Sequence, residues 1–529
     1  MAHRSPPTIE RHCDVCVVGG SAAGLAAALQ LGRQRRSVIV VDAGEPRNAP
    51  AGHMHGYLGR EATPPTELAA IGREEVRSYG GEVLPGRATT VHRVDGGGFR
   101  VELTGGHAVL ARRVLAATGL VDELPQIEGL AEHWGRDVIH CPFCHGYEVR
   151  DRRVVAIVTH PLGLHPVALL RQLTARLTVV IHDPAGVDTD ALDALAASGA
   201  EIRRERARRI VADAAMRVDV VELDSGERLA ADAVFVGPRF RARAEAFATI
   251  GLRPAPHPSG IGDALETDER GATAVPGVFA AGNVTDPSQQ VLHAAADGSR
   301  VGAMISFSLA EEDLREPARG SAHQADWDHR YAGRQVWSGN PNGTLVAEVA
   351  GIEPGRALDV GAGEGGDALW LAERGWRVTA SDVSPRALER LAAEARRRDL
   401  SVVCHHADAN ALDPFPPAAF DLVCAQYASI PRTPDQRALH NILSAVAPGG
   451  TLLVVGHDLE PARGPIDTRV ASRAFDPDAY LRVEDVAAEL ARSADWTIEL
   501  HERRPRPAGA ASAAHHVDDV VLRARRVGA

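Results

Sequence analysis

Long apolar runs are missing from this chain. Its 529 residues contain no uninterrupted apolar stretch of about 18, so a membrane-spanning helix is not expected. Met1 to Glu10 lacks the apolar centre of a secretory leader, and a cytosolic location is the expectation. Positive charge is in deficit, with 58 Lys and Arg against 70 Asp and Glu, a net charge of −12. Phosphate neutralisation needs clustered cations, so nucleic acid is not an expected partner. Cysteine is scarce at six residues, and without a secretory context a disulfide-stapled scaffold is excluded. What is plentiful is length. It exceeds the span of one hydrophobic core, and three or more domains are expected.

Cys13 and Cys16 stand in a run, Cys13 to Gly19, that reads as a buried strand. A rise of about 3.3 Å per residue would part their Cα atoms by about 10 Å, beyond the roughly 7 Å reach of a disulfide. Both are expected in the core, as are Cys404 and Cys424, which end two later apolar runs. Cys141-Pro142-Phe143-Cys144-His145 differs. A Cys-x-x-Cys pair behind a dinucleotide-binding pattern points to thiol–disulfide exchange. A metal is the rival reading of Cys-x-x-Cys-His, but no second ligand pair lies at short spacing and no metal is expected there.

The dinucleotide pattern begins at Asp14 to Val18, a strand, and continues through Gly19-Gly20-Ser21-Ala22-Ala23-Gly24, a helix from Leu25 to Leu31 and a strand ending at Asp42. Gly19 permits the tight turn, amides at the helix start can hold a pyrophosphate, and Gly24 lets helix and strand approach. Asp42 is placed for ribose hydroxyls. Ser21 replaces the middle glycine. Arg113 to Gly119, including Thr118, reads as a returning strand, and Val275 to Val284 supplies another before a helix from Gln289 to Ser306.

This order of parts resembles the low-molecular-weight thioredoxin reductases over roughly residues 11 to 310. The resemblance implies an FAD domain in two pieces, 11–125 and 237–310, with a nucleotide-type domain, 126–236, inserted between them. It assigns Gly19 to Gly24, Asp42, Thr118 and Gly119 to FAD, together with Gly282, Asn283, Gln290 and Val291; Asn283 stands where an Asp is usual. Hinges are expected around 120–127 and 236–242. By the same resemblance Cys144 faces the flavin and Cys141 exchanges with substrate sulfur, beside His145 as acid or base. Cys141 to Glu148 looks more like the dithiol oxidases of disulfide-containing natural products, which pass electrons to oxygen. His293 is a second candidate base, with packing in its helix as the plainer reading.

The inserted domain departs from a reductase. Its counterpart of the second glycine turn, Val154 to Gly163, holds Val158 and His160 where glycines should be, and His182-Asp183-Pro184 follows the next strand in place of an arginine pair. Side chains would crowd a pyrophosphate and Asp183 would repel a 2′-phosphate, so weak or absent NADPH binding is inferred. The basic run Arg203 to Arg209 reads as a solvated face.

Glu311 to Gln324 is polar, with Pro317, Gly320 and Ser321, and reads as a linker from 311 to 324 before a last domain, 325–529. There, Asp359 precedes Gly361, Gly363 and Gly365, a helix reaches Glu373, and the strand Arg377 to Asp382 ends in an acid. An acid before the glycines suits an ammonium and opposes a phosphate. With Asp408-Ala409, Phe420 to Val423 and the turn Ala447 to Gly450, the unit resembles the class I methyltransferases. That resemblance implies S-adenosylmethionine on Asp359, Gly361, Gly363, Gly365, Asp382, Asp408 and Ala409. The segment Trp327 to Asn342 and the Gly456-His457-Asp458 strand end are similar to small-substrate methyltransferases related to tellurite resistance. His457 either orients an acceptor or plays no role, and Trp337 either walls the cofactor or staples the preceding helix.

The expected fold class is α/β: a two-domain disulfide-oxidoreductase-like Rossmann half followed by a methyltransferase Rossmann-like domain. The expected function joins an FAD-dependent dithiol oxidase, with oxygen as acceptor, to a methyltransferase of a small thiol. Alternatives are an NADPH-dependent thioredoxin-type reductase fused to a methyltransferase of unrelated substrate, or a flavin-bound redox sensor or interaction scaffold. Expected partners are a small dithiol or disulfide or a thioredoxin-like protein, a small methyl acceptor and, by the resemblance, a second copy in a homodimer.

Overall fold

The computed structural model describes residues 9–95, 97–315, 321–506 and 518–528. Residues 1–8 of the Met1 to Glu10 stretch, and Pro317 and Gly320 of the expected linker, lie outside the described residues.

The first sheet is built on Glu10–Val18, whose faces are both buried because helices and further strands cover the two sides. Parallel partners on one side are Val38–Asp42 and then Glu82–Pro85, and on the other Ala108–Ala116. Val278–Ala280, from far along the chain, joins the last residues of Ala108–Ala116 in parallel register. The domain is therefore discontinuous. Between its pieces stands a five-stranded parallel sheet in the order Glu201–Arg203, Leu177–Ile181, Val154–Val158, Ala233–Val236, Val138–Ile139. The two crossings pair with each other, Leu120–Glu123 running antiparallel to Arg239–Ala242, so the hinge is a two-stranded ribbon.

The last sheet has seven strands, ordered Val402–His406, Arg377–Asp382, Arg356–Val360, Phe420–Gln426, Val446–His457, Asp518–Arg526, Trp496–Pro505. The first five are parallel and Asp518–Arg526 is antiparallel to both neighbours.

Two expectations need correction. The helix expected to stop at Ser306 runs over Val291–Arg315, and the next begins at Ala322, so most described residues of the supposed linker are helical. The polar end of the long helix is held by arginines of the first domain: Arg112 binds Glu312 at 2.9 Å and Asp313 at 2.6 Å. Cys404, expected in the core, is exposed, because Val402–His406 is an edge strand. Cys13, Cys16 and Cys424 are buried and free, and burial pushes the Cys16 thiol up to about 12. The arginines of the Arg203–Arg209 run are partly to fully exposed and several pair with acids, as in Arg203–Glu227 at 3.0 Å and Arg209–Glu222 at 2.8 Å.

The two halves are docked. Helix Ala322–Arg330 lies against Glu10–Val18, where Asp326 accepts from the His12 amide at 2.8 Å and from Arg11 Nε at 3.2 Å. Residues 467–480 of the last domain cross to the first: Thr468 Oγ1 donates to the Ala43 carbonyl at 2.9 Å, and Asp476 accepts from the Val83 amide at 2.8 Å.

Candidate functional site

A cavity of about 880 Å³ runs from the first glycine turn to the Cys-x-x-Cys segment. Gly19, Gly20, Ser21, Ala22, Ala23, Asp42, Thr118, Gly119, Asn283, Gln290 and Val291 line it, and so do Cys141, Cys144 and His145. Three elements distant in sequence thus converge on one space. Gly19 has φ +118°, and a Cβ there would lie 2.2 Å from the Ala117 carbonyl oxygen, so only glycine serves. Ser21 is the N-cap of helix Ala22–Arg33 and makes no side-chain cap, which leaves the first amides of a twelve-residue helix open to a ligand anion. Asp42 accepts from the Gly44 amide at 2.8 Å and from Arg73 at 2.9 Å. Gly24 and Gly282 stand behind the wall instead of lining it. A Cβ on Gly24 would come within 1.8 Å of the Gly19 carbonyl, and one on Gly282 within 2.7 Å of Ala23. Asn283 spends its amide nitrogen on the Gln289 carbonyl at 2.8 Å, so a contact to a cofactor hydroxyl falls to Oδ1. Shape, size and donors fit a dinucleotide with an aromatic ring system.

Cys141 and Cys144 are joined as a disulfide with Cα atoms 5.2 Å apart. The helix Pro142–His145 begins at Cys141, and the amides of Cys144 and His145 both donate to its carbonyl at 3.2 Å. Burial holds His145 below the usual histidine range, with Glu148 opposing and His55 adding to the shift. The imidazole is therefore neutral at pH 7, a proton acceptor. His293 is exposed and outside the cavity; its Nδ1 accepts from the Gln290 amide at 3.3 Å at the head of its helix.

Sequence reasoning missed a group around the hinge. Arg47 binds Asp122 at 2.7 Å, lies 4.9 Å over the Phe240 ring and stands 3.0 Å from His140 Nε2. Burial, aided by Arg47, pushes His140 down to about 3, so it stays neutral and accepts from Arg47. His55 is also new, 2.6 Å from Glu61 and 3.4 Å from Glu148. Arg47, His55 and His140 sit in irregular loops, Asp122 and Phe240 in the short hinge strands, and none carries a spacing signal; only His140, next to Cys141, had a local clue.

In the inserted domain, Val158 ends its strand and His160 opens a short 3₁₀ turn, with Nε2 only 3.3 Å from where a Gly237 Cβ would stand. His182 turns away to accept from the Ala207 amide at 3.1 Å. The half-buried imidazole of His160 thus borders this turn, 3.8 Å from where a Gly163 Cβ would stand.

The second set assembles separately at the strand ends of the last sheet. Asp359 and Asp367 are buried, and burial raises the carboxyl of each, Asp359 the more so with Asp367 beside it. Asp359 Oδ2 has no hydrogen-bond partner, and neither amide atom of Gln426 has one, though both residues are buried. Strand register sets Asp359 opposite Cys424, and Gln426 follows two residues later on the same face. Unpaired buried groups of this kind fit a ligand ammonium and carboxylate. Gly361, Gly363 and Gly365 all have positive φ, and the Gly363 amide donates to Asp382 at 2.8 Å. Asp382 also accepts from the Ser384 amide at 2.8 Å. Asp408 accepts from the Asn410 amide at 2.8 Å, and the Ala409 carbonyl accepts from Asn441 at 2.8 Å, on the loop after Val402–His406. Trp337 Nε1 donates to Tyr331 at 3.0 Å, and its ring lies 3.4 Å from a Gly363 Cβ position, so it covers the turn. His457 stacks on Tyr427 at 4.4 Å and meets Arg506 at 2.6 Å.

The family model for pyridine nucleotide-disulphide oxidoreductases matches residues 13–298. The chain belongs to that family. A model described as a methyltransferase domain matches residues 357–450 of the same oxidoreductase chain, which therefore carries both domains. Thioredoxin reductase tcpT of Claviceps purpurea is 30% identical over 305 residues, 56% of this chain and 94% of its own. Thioredoxin reductase sirT of Leptosphaeria maculans is 29% identical over 57% of this chain and 95% of its own. Among solved structures, HlmI is 38% identical with a TM-score of 0.54, covering 58% of this oxidoreductase and 96% of that chain. These relatives match the first half alone. Among the described residues no helix is long and apolar enough to cross a membrane.

Proposed function

We propose that the chain is a bifunctional enzyme: an FAD-dependent dithiol oxidase with oxygen as acceptor, and an S-adenosylmethionine-dependent methyltransferase acting on the same small sulfur compound. The observation that supports the oxidase reading is His160 at the turn after Val154–Val158, where a reductase would need glycine, while the Cys141–Cys144 disulfide lines a cavity of about 880 Å³. FAD, when bound, supplies the acceptor that reoxidises the dithiol and hands two electrons to oxygen. The chain's own residues do the exchange. A substrate thiol gives its proton to neutral His145, and the thiolate attacks Cys141 Sγ, releasing Cys144 as thiolate. The second substrate thiol passes its proton to the Cys144 thiolate and attacks the substrate sulfur of the mixed disulfide; Cys141 leaves, taking the proton held by His145, and the product departs as a disulfide. Phe143 and Tyr147, 69% and 65% exposed beside the pair, offer an apolar lip for a small organic dithiol.

S-adenosylmethionine, when bound, supplies the electrophilic methyl group. Asp359 would pair with its ammonium, Asp382 with ribose hydroxyls, and Asp408 and Ala409 would border the adenine, while Trp337 keeps water from the turn. Methyl transfer to a thiolate needs chiefly alignment and desolvation. Oxidation to a disulfide and S-methylation both quench one dithiol, and four free cysteines among the described residues suit a cytosolic setting.

Anaerobic stopped-flow mixing with NADPH is the test. The flavin is expected to stay oxidised with NADPH and to bleach with a small dithiol, and oxygen uptake with that dithiol should vanish in Cys141→Ser. Rapid bleaching by NADPH would overturn the oxidase reading in favour of a reductase.

A further inference from the structure

Where the two halves meet, three side chains that neither chemistry uses point at one spot. Glu10 and His12 are two residues apart on strand Glu10–Val18 and so share a face. His329 comes from helix Ala322–Arg330, one turn beyond Asp326, whose carboxylate binds the His12 amide at 2.8 Å and fixes the helix on the strand. His329 Nε2 lies 3.4 Å from Glu10 Oε1, and His12 Nε2 lies 3.9 Å from the same oxygen. One ligand atom from each residue falls within 4.8 Å of the others, and the imidazoles are 4.6 Å apart, tilted by 43°. His12 Nε2 is buried and has no hydrogen-bond partner. Arg100 holds the other carboxylate oxygen, Oε2, which leaves Oε1 to act alone.

We propose that Glu10, His12 and His329 form a binding site for a divalent transition metal of the zinc class, clamping the oxidoreductase half to the methyltransferase half. Tetrahedral zinc with arms of about 2.0–2.1 Å sets neighbouring ligand atoms about 3.4 Å apart. The Glu10–His329 edge already has that length, rotation of the half-exposed His329 side chain brings its ring to His12, and the Glu10–His12 edge of 3.9 Å closes by a shift of about half an ångström in those two side chains. Two imidazoles and one carboxylate favour zinc, cobalt or copper over magnesium or calcium, which prefer all-oxygen shells. Water completes the fourth position. Arg100 has the part of an outer ligand, orienting the carboxylate. Because the ligands come from both halves, the metal binds only the docked arrangement and stabilises it by mass action.

The test uses the full-length protein, stripped with a chelator, with the Cys141–Cys144 disulfide kept oxidised so that thiolates do not compete. Cobalt and zinc are titrated, reading visible cobalt absorption and the thermal midpoint. One equivalent is expected to bind, with intense tetrahedral cobalt bands and a raised midpoint, and magnesium should do neither. His329→Ala, on an exposed position, and Glu10→Gln should each weaken binding by about 100-fold or more while circular dichroism is unchanged. Persistence of the cobalt signal in both variants, or no stoichiometric binding at micromolar metal, would overturn the site and leave an ion-pair cluster only.

Discussion

His145 ends the four-residue helix that carries the disulfide, and its environment decides its protonation. Burial lowers its pKa, so the base form persists to more acidic pH than in a free histidine. Dithiol turnover should therefore hold steady through neutrality and fall only as pH drops below the usual histidine range of about 6.5. In His145→Asn the rate is expected to fall about 100-fold or more, and the acidic limb of the pH profile should shift or vanish. Steady-state oxygen uptake from pH 5 to 8 checks both. An unchanged profile would move the proton acceptor to His55, 2.6 Å from Glu61 in the same cavity wall region.

Among the elements, helix Ala22–Arg33 depends most on one residue. Gly24 brings it so close to the glycine turn that a methyl group would sit 1.8 Å from the Gly19 carbonyl oxygen. Gly24→Ala should push the helix off the strand, lowering stability by about 1–3 kcal/mol and weakening flavin retention. Chemical denaturation and the flavin-to-protein absorbance ratio read the two effects. Elements of this kind were legible in the sequence, because strand alternation, glycines and the terminal acids Asp42 and Asp382 are local signals. Others were not. Past Ser306 the helix packs Leu309 into the core and only from Glu311 is it polar, where Arg112 and Arg113, some 200 residues earlier, pair with Glu312 and Asp313. Cys404 looked like core because its run is apolar, yet position in the sheet, not composition, set its exposure. Gln426 escaped notice because nothing in its neighbours marks the empty amide.

At the scale of the whole molecule the junction is organised by a buried arginine. Arg11 binds Glu82 in a bidentate pair at 2.5 and 2.9 Å, Asp326 at 3.2 Å and the Ala474 carbonyl at 2.8 Å. All 58 basic residues of the chain are arginines, and here the forked geometry that lysine lacks joins Arg11 to segments 71, 315 and 463 residues away in the chain. Arg11→Ala should cost about 3–5 kcal/mol, since it strands two buried carboxylates. Calorimetry is expected to show the single thermal transition split into two as the halves uncouple. Burial pushes Asp326 up, but Arg11, Arg330 and the His12 amide outweigh it and hold the carboxyl below its ordinary value. Its contribution is thus present above the usual aspartate range and lost as pH falls through the lower folded value. One consequence follows for separating the two activities. Glu82–Pro85 is the outermost strand of its sheet, and its rim is stoppered by Asp476 on the Val83 amide and by the Arg473 amide on the Pro85 carbonyl at 3.1 Å. A truncated oxidoreductase half would bare that rim and is expected to self-associate, which light scattering of the isolated half would read, so the downstream domain doubles as an edge guard for its neighbour.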